Sequence, residues 1–439
     1  MSRINRPRYR NDGRENVTLE MRRMRAIVLA LAMLLSAALL TETANPAGAD
    51  AAAKKTKQQK KNKKKTRKGP KKGPAGLKFY KPPKKIPAAH GKLIWQRKAS
   101  GSVPLSSAAV NKLVLYTSKG VSGKMVAVSG SIAIPKGKAP KGGWPVISYA
   151  HGTTGIADKC APSRNTKGGV ADGYVSYTDP QMNQWLKAGY AVARTDYQGL
   201  GTPGMHPFLV GVPEGRSVLD IVSASRQLGL HLSNKYLIAG HSQGGHAALW
   251  AAGLASSYSK DIKLKGTVSY SPASNFKVIA GALAIYSTAN PLSALATLLV
   301  RGMSVAYPDV DPKQLLSDDF LPYWDDTATD CLSELAVETK LGGLAPANLI
   351  RSGYDRTRMY EILDAQNPAV ATSAPILLAQ GTADSTVPQP LTDMLYPALV
   401  EKGDTVDYKL YPGVEHGAIV AAAENDAMSF FESHLPGGR

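Results

Sequence analysis

The chain has 439 residues and a formal net charge of +21, from 54 Lys+Arg and 33 Asp+Glu. Residues 1–85 alone hold 24 of the basic and five of the acidic residues, so the remaining 354 are nearly neutral, at about +2. A near-neutral folded part gives no basis for a nucleic-acid groove, and the basic character belongs to a tail.

In chain order, Arg22, Arg23 and Arg25 precede the apolar run 26–40, and Ala47-Gly48-Ala49 offers a small-residue cleavage site. Residues 1–49 therefore read as a secretory signal peptide with an N-terminal extension. The apolar run is short of the ~20 residues that span a membrane. Residues 50–85 follow, with 16 Lys+Arg between Lys54 and Lys85, no acid there, and four prolines. Such a segment repels itself and lacks apolar residues, so it is expected to be disordered. Its two readings are a solvated spacer and a peripheral contact to anionic lipid or wall polymer.

Residues 86–439 are long enough for one large α/β domain. Strands are predicted over 113–117 and 126–134, the second paired antiparallel, and over 144–150, 190–196, 236–239, 264–271, 374–381 and 405–411. Helices are predicted over 180–188, 215–229, 390–402 and 419–434, and after Ser242. The alternation implies a mostly parallel sheet covered on both faces. It breaks over 275–370, where the pattern is helical (278–287, 292–303), and that stretch reads as an inserted cap. Cys160 and Cys331 are the only cysteines. In an exported chain an even count predicts one disulfide closing a long loop, with two isolated thiols the alternative.

Gly240-His241-Ser242-Gln243-Gly244 lies between a short apolar strand and an Ala/Leu-rich helical pattern. A serine at such a turn is held exposed on a strained elbow, with the Gln243 amide directed at a developing oxyanion. The serine needs a base and a carboxylate that orients it, in the chain order Ser, acid, His. Of the eight histidines only His416 and His434 lie far enough on, and His416 sits in a loop after a strand, whereas His434 ends the last helix. Asp384 follows a strand and a glycine turn; Asp393 falls inside the next helix, and Glu415 adjoins the histidine too closely to reach its ring. Ser242, Asp384 and His416 are thus the expected triad. His151-Gly152-Thr153-Thr154-Gly155, after the strand 144–150, is the expected second oxyanion loop, with Thr153 as donor and Thr154 the alternative. Asp196-Tyr197-Gln198-Gly199-Leu200-Gly201 reads as a turn held by Asp196, with lining of the pocket the alternative. Neither zinc spacing nor a phosphate loop is present, so no metal and no cofactor is expected.

These motifs, from Tyr149–Gly155 through 195–201 and 240–245 to Gly381–Asp384 and Glu415–Gly417, resemble the secretory lipase family of α/β-hydrolases of yeasts and actinobacteria. The resemblance runs over about 100–435. It implies a lipase or carboxylesterase acting on an ester or lipid substrate, with a cap after the post-elbow strand, and it places nucleophile, acid and base on Ser242, Asp384 and His416. The basic tail is not part of the family pattern. An acyltransferase, a peptidase or a non-catalytic envelope-binding module would carry the same residues, and oligomeric state is left open.

Overall fold

The computed structural model describes residues 69–438. The expected signal peptide and residues 50–68 of the basic segment lie outside the described residues.

Nine strands form one sheet: β1 (Leu93–Lys98), β2 (Ala108–Lys119), β3 (Met125–Pro135), β4 (Trp144–Ala150), β5 (Ala191–Thr195), β6 (Leu232–His241), β7 (Lys263–Tyr270), β8 (Ile376–Gly381) and β9 (Val406–Tyr411). Their order is β1-β2-β3-β5-β4-β6-β7-β8-β9. β1, β2 and β3 pair antiparallel, β3 also pairs antiparallel with β5, and the rest are parallel. β4 reads Trp-Pro-Val-Ile-Ser-Tyr-Ala and is buried at every residue. Continuous apolar runs of this kind suit a parallel strand with both faces covered.

The main helices are α1 (Asp179–Lys187), α2 (Gly211–Ser225), α3 (Gln243–Tyr258), α4 (Phe276–Leu283), α5 (Leu292–Ala306), α6 (Thr357–Ala365), α7 (Gln389–Glu401) and α8 (Glu424–His434). On one face of the sheet, Val218, Leu219 and Val222 of α2 and Ala247, Ala248 and Ala251 of α3 pack on Val146, Tyr236 and Ile238. On the other face, Trp185 and Leu186 of α1 and Phe430 and Phe431 of α8 cover Ile147, Val192 and Leu377. The alanines of α3 let that helix approach the sheet closely. The helix expected over 419–434 is two pieces, Ile419–Ala422 and α8.

Between β7 and β8 the regular elements are helical, and they enclose a separate core around Phe276, Leu298, Met303, Phe320, Leu335 and Ile362. Cys160, in the loop after β4, is disulfide-bonded to Cys331 of this insertion.

The structure differs from the expected disorder of residues 50–85 in their last part. Residues 69–85 are built into the domain: Gly73 N–H donates to Gln96 O at 2.9 Å, and Gln96 N–H to Lys71 O at 2.9 Å. Phe79 and Tyr80 are buried against Ile94, Trp95 and Leu115, and the Tyr80 hydroxyl donates to Ser163 O at 2.7 Å. The lysine-rich composition hid two aromatic anchors, which suffice to dock the segment while its charged heads stay in water. β1 was also outside the expected strands.

Candidate active site

The carboxyl ends of β4, β6, β8 and β9 lie along one edge of the sheet, where open α/β sheets place their loops for chemistry. Ser242 follows β6 as the residue before α3, with φ 60° and ψ −118°. This is a strained conformation for a side-chain-bearing residue. The glycines beside it are required by close approach. A Cβ on Gly240 would lie 2.0 Å from Gly244 O, and one on Gly244 would lie 1.9 Å from Ala150 O. Ser242 is half-buried and opens on a cavity of about 340 Å³, which Thr153 and Gln243 also line.

Asp384 and His416 are brought together by the adjacent parallel strands β8 and β9. His416 Nδ1–H donates to Asp384 Oδ2 at 2.7 Å, which leaves Nε2 as the lone-pair nitrogen. The other Asp384 oxygen accepts from Thr386 N–H at 2.9 Å and Val387 N–H at 2.8 Å. Burial alone would raise this carboxyl, but the hydrogen bond and charge of His416 and the Val387 amide outweigh it and hold the group below the usual carboxylate value. Asp384 is therefore an anion where a base needs orienting. No Ser242–His416 hydrogen bond is formed among the described residues, and such contacts commonly tighten only with substrate in place. Residues 385–387 line the same cavity as Ser242, which puts the acid loop beside the serine.

The alternatives fall elsewhere. Asp393 is exposed and accepts from the Tyr408 hydroxyl at 2.6 Å; Glu415 and His434 are exposed. Asp196 is buried, accepting from Ser129 Oγ at 2.6 Å and Ser163 N–H at 2.9 Å, so it ties β3 to the turn at Ser163 and does not line the cavity. Thr153 is half-buried at the cavity and Thr154 is buried. The Thr154 carbonyl accepts from Leu332 N–H at 3.0 Å, next to the disulfide. Gly155, at φ +118°, permits this contact, since a Cβ there would meet Cys331 Cα at 2.9 Å.

Two groups escaped the sequence reading. His241 was set aside by chain order, yet its ring lies 4.5 Å from that of His416. Glu214, fully buried on α2, accepts from the Gln243 side-chain amide at 2.7 Å and from Leu209 N–H at 2.9 Å. The same amide donates to His206 Nε2 at 2.9 Å. Burial lowers the His206 pKa, and its Nδ1–H donates to Gln198 O at 2.9 Å, so Nε2 is the accepting nitrogen. The residue whose backbone amide was expected to face the oxyanion is thus fixed by its side chain, a contact between residues 29 apart that no local spacing announces.

The profile of the secretory lipase family matches residues 174–437. The chain belongs to the secretory lipase family. Lipase A of Moesziomyces aphidis is 27% identical over 241 residues, covering 53% of this chain and 50% of that relative. A probable inactive lipase of Mycobacterium tuberculosis is 27% identical over 207 residues, covering 44% of this chain and 43% of the relative. The chain thus spans about half the length, or less, of these curated relatives. The X-ray structure of Candida antarctica lipase A superposes with a TM-score of 0.66 at 21% identity, over 79% of this chain and 83% of that one. At that identity the likeness establishes the fold alone.

Proposed function

We propose that this member of the secretory lipase family is an exported serine hydrolase of carboxylic esters, with Ser242 as nucleophile, His416 as base and Asp384 as its orienting acid. The observation that carries the reading is the elbow serine on an apolar cavity whose wall includes the loop that follows Asp384, with that buried carboxylate hydrogen-bonded to His416. Family membership alone would not separate an active enzyme from an inactive relative, and the complete residue set favours the active one. Attack of Ser242 Oγ on the ester carbonyl sends its proton to His416 Nε2. Collapse of the tetrahedral intermediate returns that proton to the leaving alcohol. Water then repeats the sequence on the acyl-enzyme. The Gln243 and Thr153 amides are assigned to the oxyanion.

The cavity supports a lipid acyl group over a peptide. Its walls are largely apolar, including Phe276, Ile279, Leu295, Leu299 and Met303. Val278 and Met394, which also line it, are exposed, as are Ile285 and Tyr286 nearby in sequence. Burial of each methylene contributes about 0.8 kcal/mol. In a p-nitrophenyl ester series kcat/KM is therefore expected to rise up to about fourfold per added methylene until the cavity is full. A maximum at acetate would instead indicate an esterase of small acyl groups.

The basic tail is assigned a peripheral contact with anionic surfaces. Because residues 69–85 carry buried anchors, the informative deletion is 54–68. It is expected to lower retention on phosphatidylglycerol vesicles at low salt. Unchanged retention would make those residues a spacer.

A further inference from the structure

We propose that His241, the residue before the elbow serine, is a positioning residue for the base: it holds the backbone carbonyl of His416 and so fixes where that loop presents its imidazole. This rests on the Ser242–His416–Asp384 reading above and adds a member to it.

His241 ends β6 and is buried. Its Nε2 lies 2.9 Å from His416 O. A carbonyl only accepts, so Nε2 carries the hydrogen and Nδ1 must accept. Tyr177 supplies the matching donor, its hydroxyl bonding Nδ1. Burial raises the Tyr177 pKa well above the ordinary phenol value, so that donor keeps its proton. The two contacts together specify one neutral tautomer. Burial first, then the neighbouring His416, push the His241 pKa down to about 3. A neutral ring is what the site requires. A second imidazolium with its ring 4.5 Å away would oppose the protonation of His416 that each catalytic step needs.

Asp384 and its neighbours tie the loop to the end of β8, through Ala383 N–H to Val414 O at 3.1 Å and Gly413 N–H to Thr382 Oγ1 at 2.9 Å, and not to β6. Asp384 fixes the His416 ring through Nδ1, but the ring hangs from an exposed loop in which Pro412, Gly413, Glu415, Gly417 and Ala418 all face solvent. Holding the backbone at residue 416 ties that loop to β6, the strand that also sets Ser242. Base and nucleophile are thereby referenced to one rigid element. Displacement of a reacting group by about 1 Å can cost about 100-fold in rate.

The test compares kcat and KM of the full chain on a p-nitrophenyl ester for His241→Phe and His241→Gln. Phenylalanine fills the space without a donor, whereas the glutamine amide can donate to the same carbonyl without charge. His241→Phe is expected to lower kcat about 10- to 100-fold, with KM changed by less than about twofold. His241→Gln is expected to recover most of the loss. A His241→Phe kcat within about twofold of the parent, or a His241→Gln as slow as His241→Phe, overturns the proposal. Should the phenylalanine variant not fold, Tyr177→Phe removes only the hydroxyl that sets the tautomer. It is expected to lower kcat about three- to tenfold at constant KM, and an unchanged kcat counts against the role. Fluorophosphonate labelling separates the two levels. No labelling of the parent overturns the triad reading and this proposal with it; labelling slowed in His241→Phe and regained in His241→Gln supports both.

Discussion

Replacing Ser242 by alanine is expected to lower kcat on p-nitrophenyl esters by about 10⁵- to 10⁶-fold, the scale seen when a serine hydrolase loses its nucleophile. His416→Ala should fall as far, and Asp384→Asn by about 10⁴-fold, because the amide favours the wrong imidazole tautomer. The three act as a unit, so a Ser242→Ala/His416→Ala double variant should be no slower than either single one. What remains over water would come from the oxyanion donors at Gln243 and Thr153. Fluorophosphonate labelling should disappear in Ser242→Ala and persist, slowed, in Asp384→Asn. The melting midpoint of Ser242→Ala should stay near the parent value, since alanine keeps the same backbone conformation at φ 60°. A Ser242→Ala variant within tenfold of parental activity would rule out the assignment.

The second large effect concerns the bridge between Cys160 and Cys331, which are 171 residues apart and both fully buried. For so long a loop the chain-entropy model gives about 5 kcal/mol, and native disulfides are typically worth about 2–5 kcal/mol. A Cys160→Ala/Cys331→Ala variant should melt roughly 3–6 °C lower, at about 1.3 °C per kcal/mol for a domain of this size. Strong reductant should act on the parent in the same direction. Alanine is preferred to serine because it adds no buried hydroxyl. Activity should decline below the new melting point as well, because the bridge and the adjacent Thr154–Leu332 hydrogen bond tie the loop that carries Thr153 to the helical insertion. A shift below about 2 °C would mean that the surrounding packing alone holds those two segments.

The parts of the site legible in sequence are those encoded locally. The apolar strand, the glycine-flanked serine and the Ala-rich helix after it describe an elbow without reference to any other part of the chain. The order of serine, acid and histidine, with the position of each at a strand end, then pointed to Asp384 and His416, which the structure joins by a hydrogen bond. Composition misled where it was averaged. Sixteen basic residues over 54–85 outweighed Phe79 and Tyr80, although two buried aromatics are enough to anchor the segment on β1 and β2. Chain order sets His241 aside as a candidate base and carries no signal of its hydrogen bond to the His416 carbonyl.

By itself the sequence determined the layered α/β architecture, the strand-end position of Ser242, Asp384 and His416 and the presence of a helical insertion, because periodicity and turn chemistry are properties of short stretches. Only the tertiary structure decided which distant groups meet. Glu214 reaches the Gln243 side chain. Tyr177 and His416 meet on the two nitrogens of His241, and residues 69–85 close over the first strands. The physical reason is that such partners are set by the alignment of parallel strand ends and by the burial of polar groups that must find one another, and neither leaves a periodic signal along the chain.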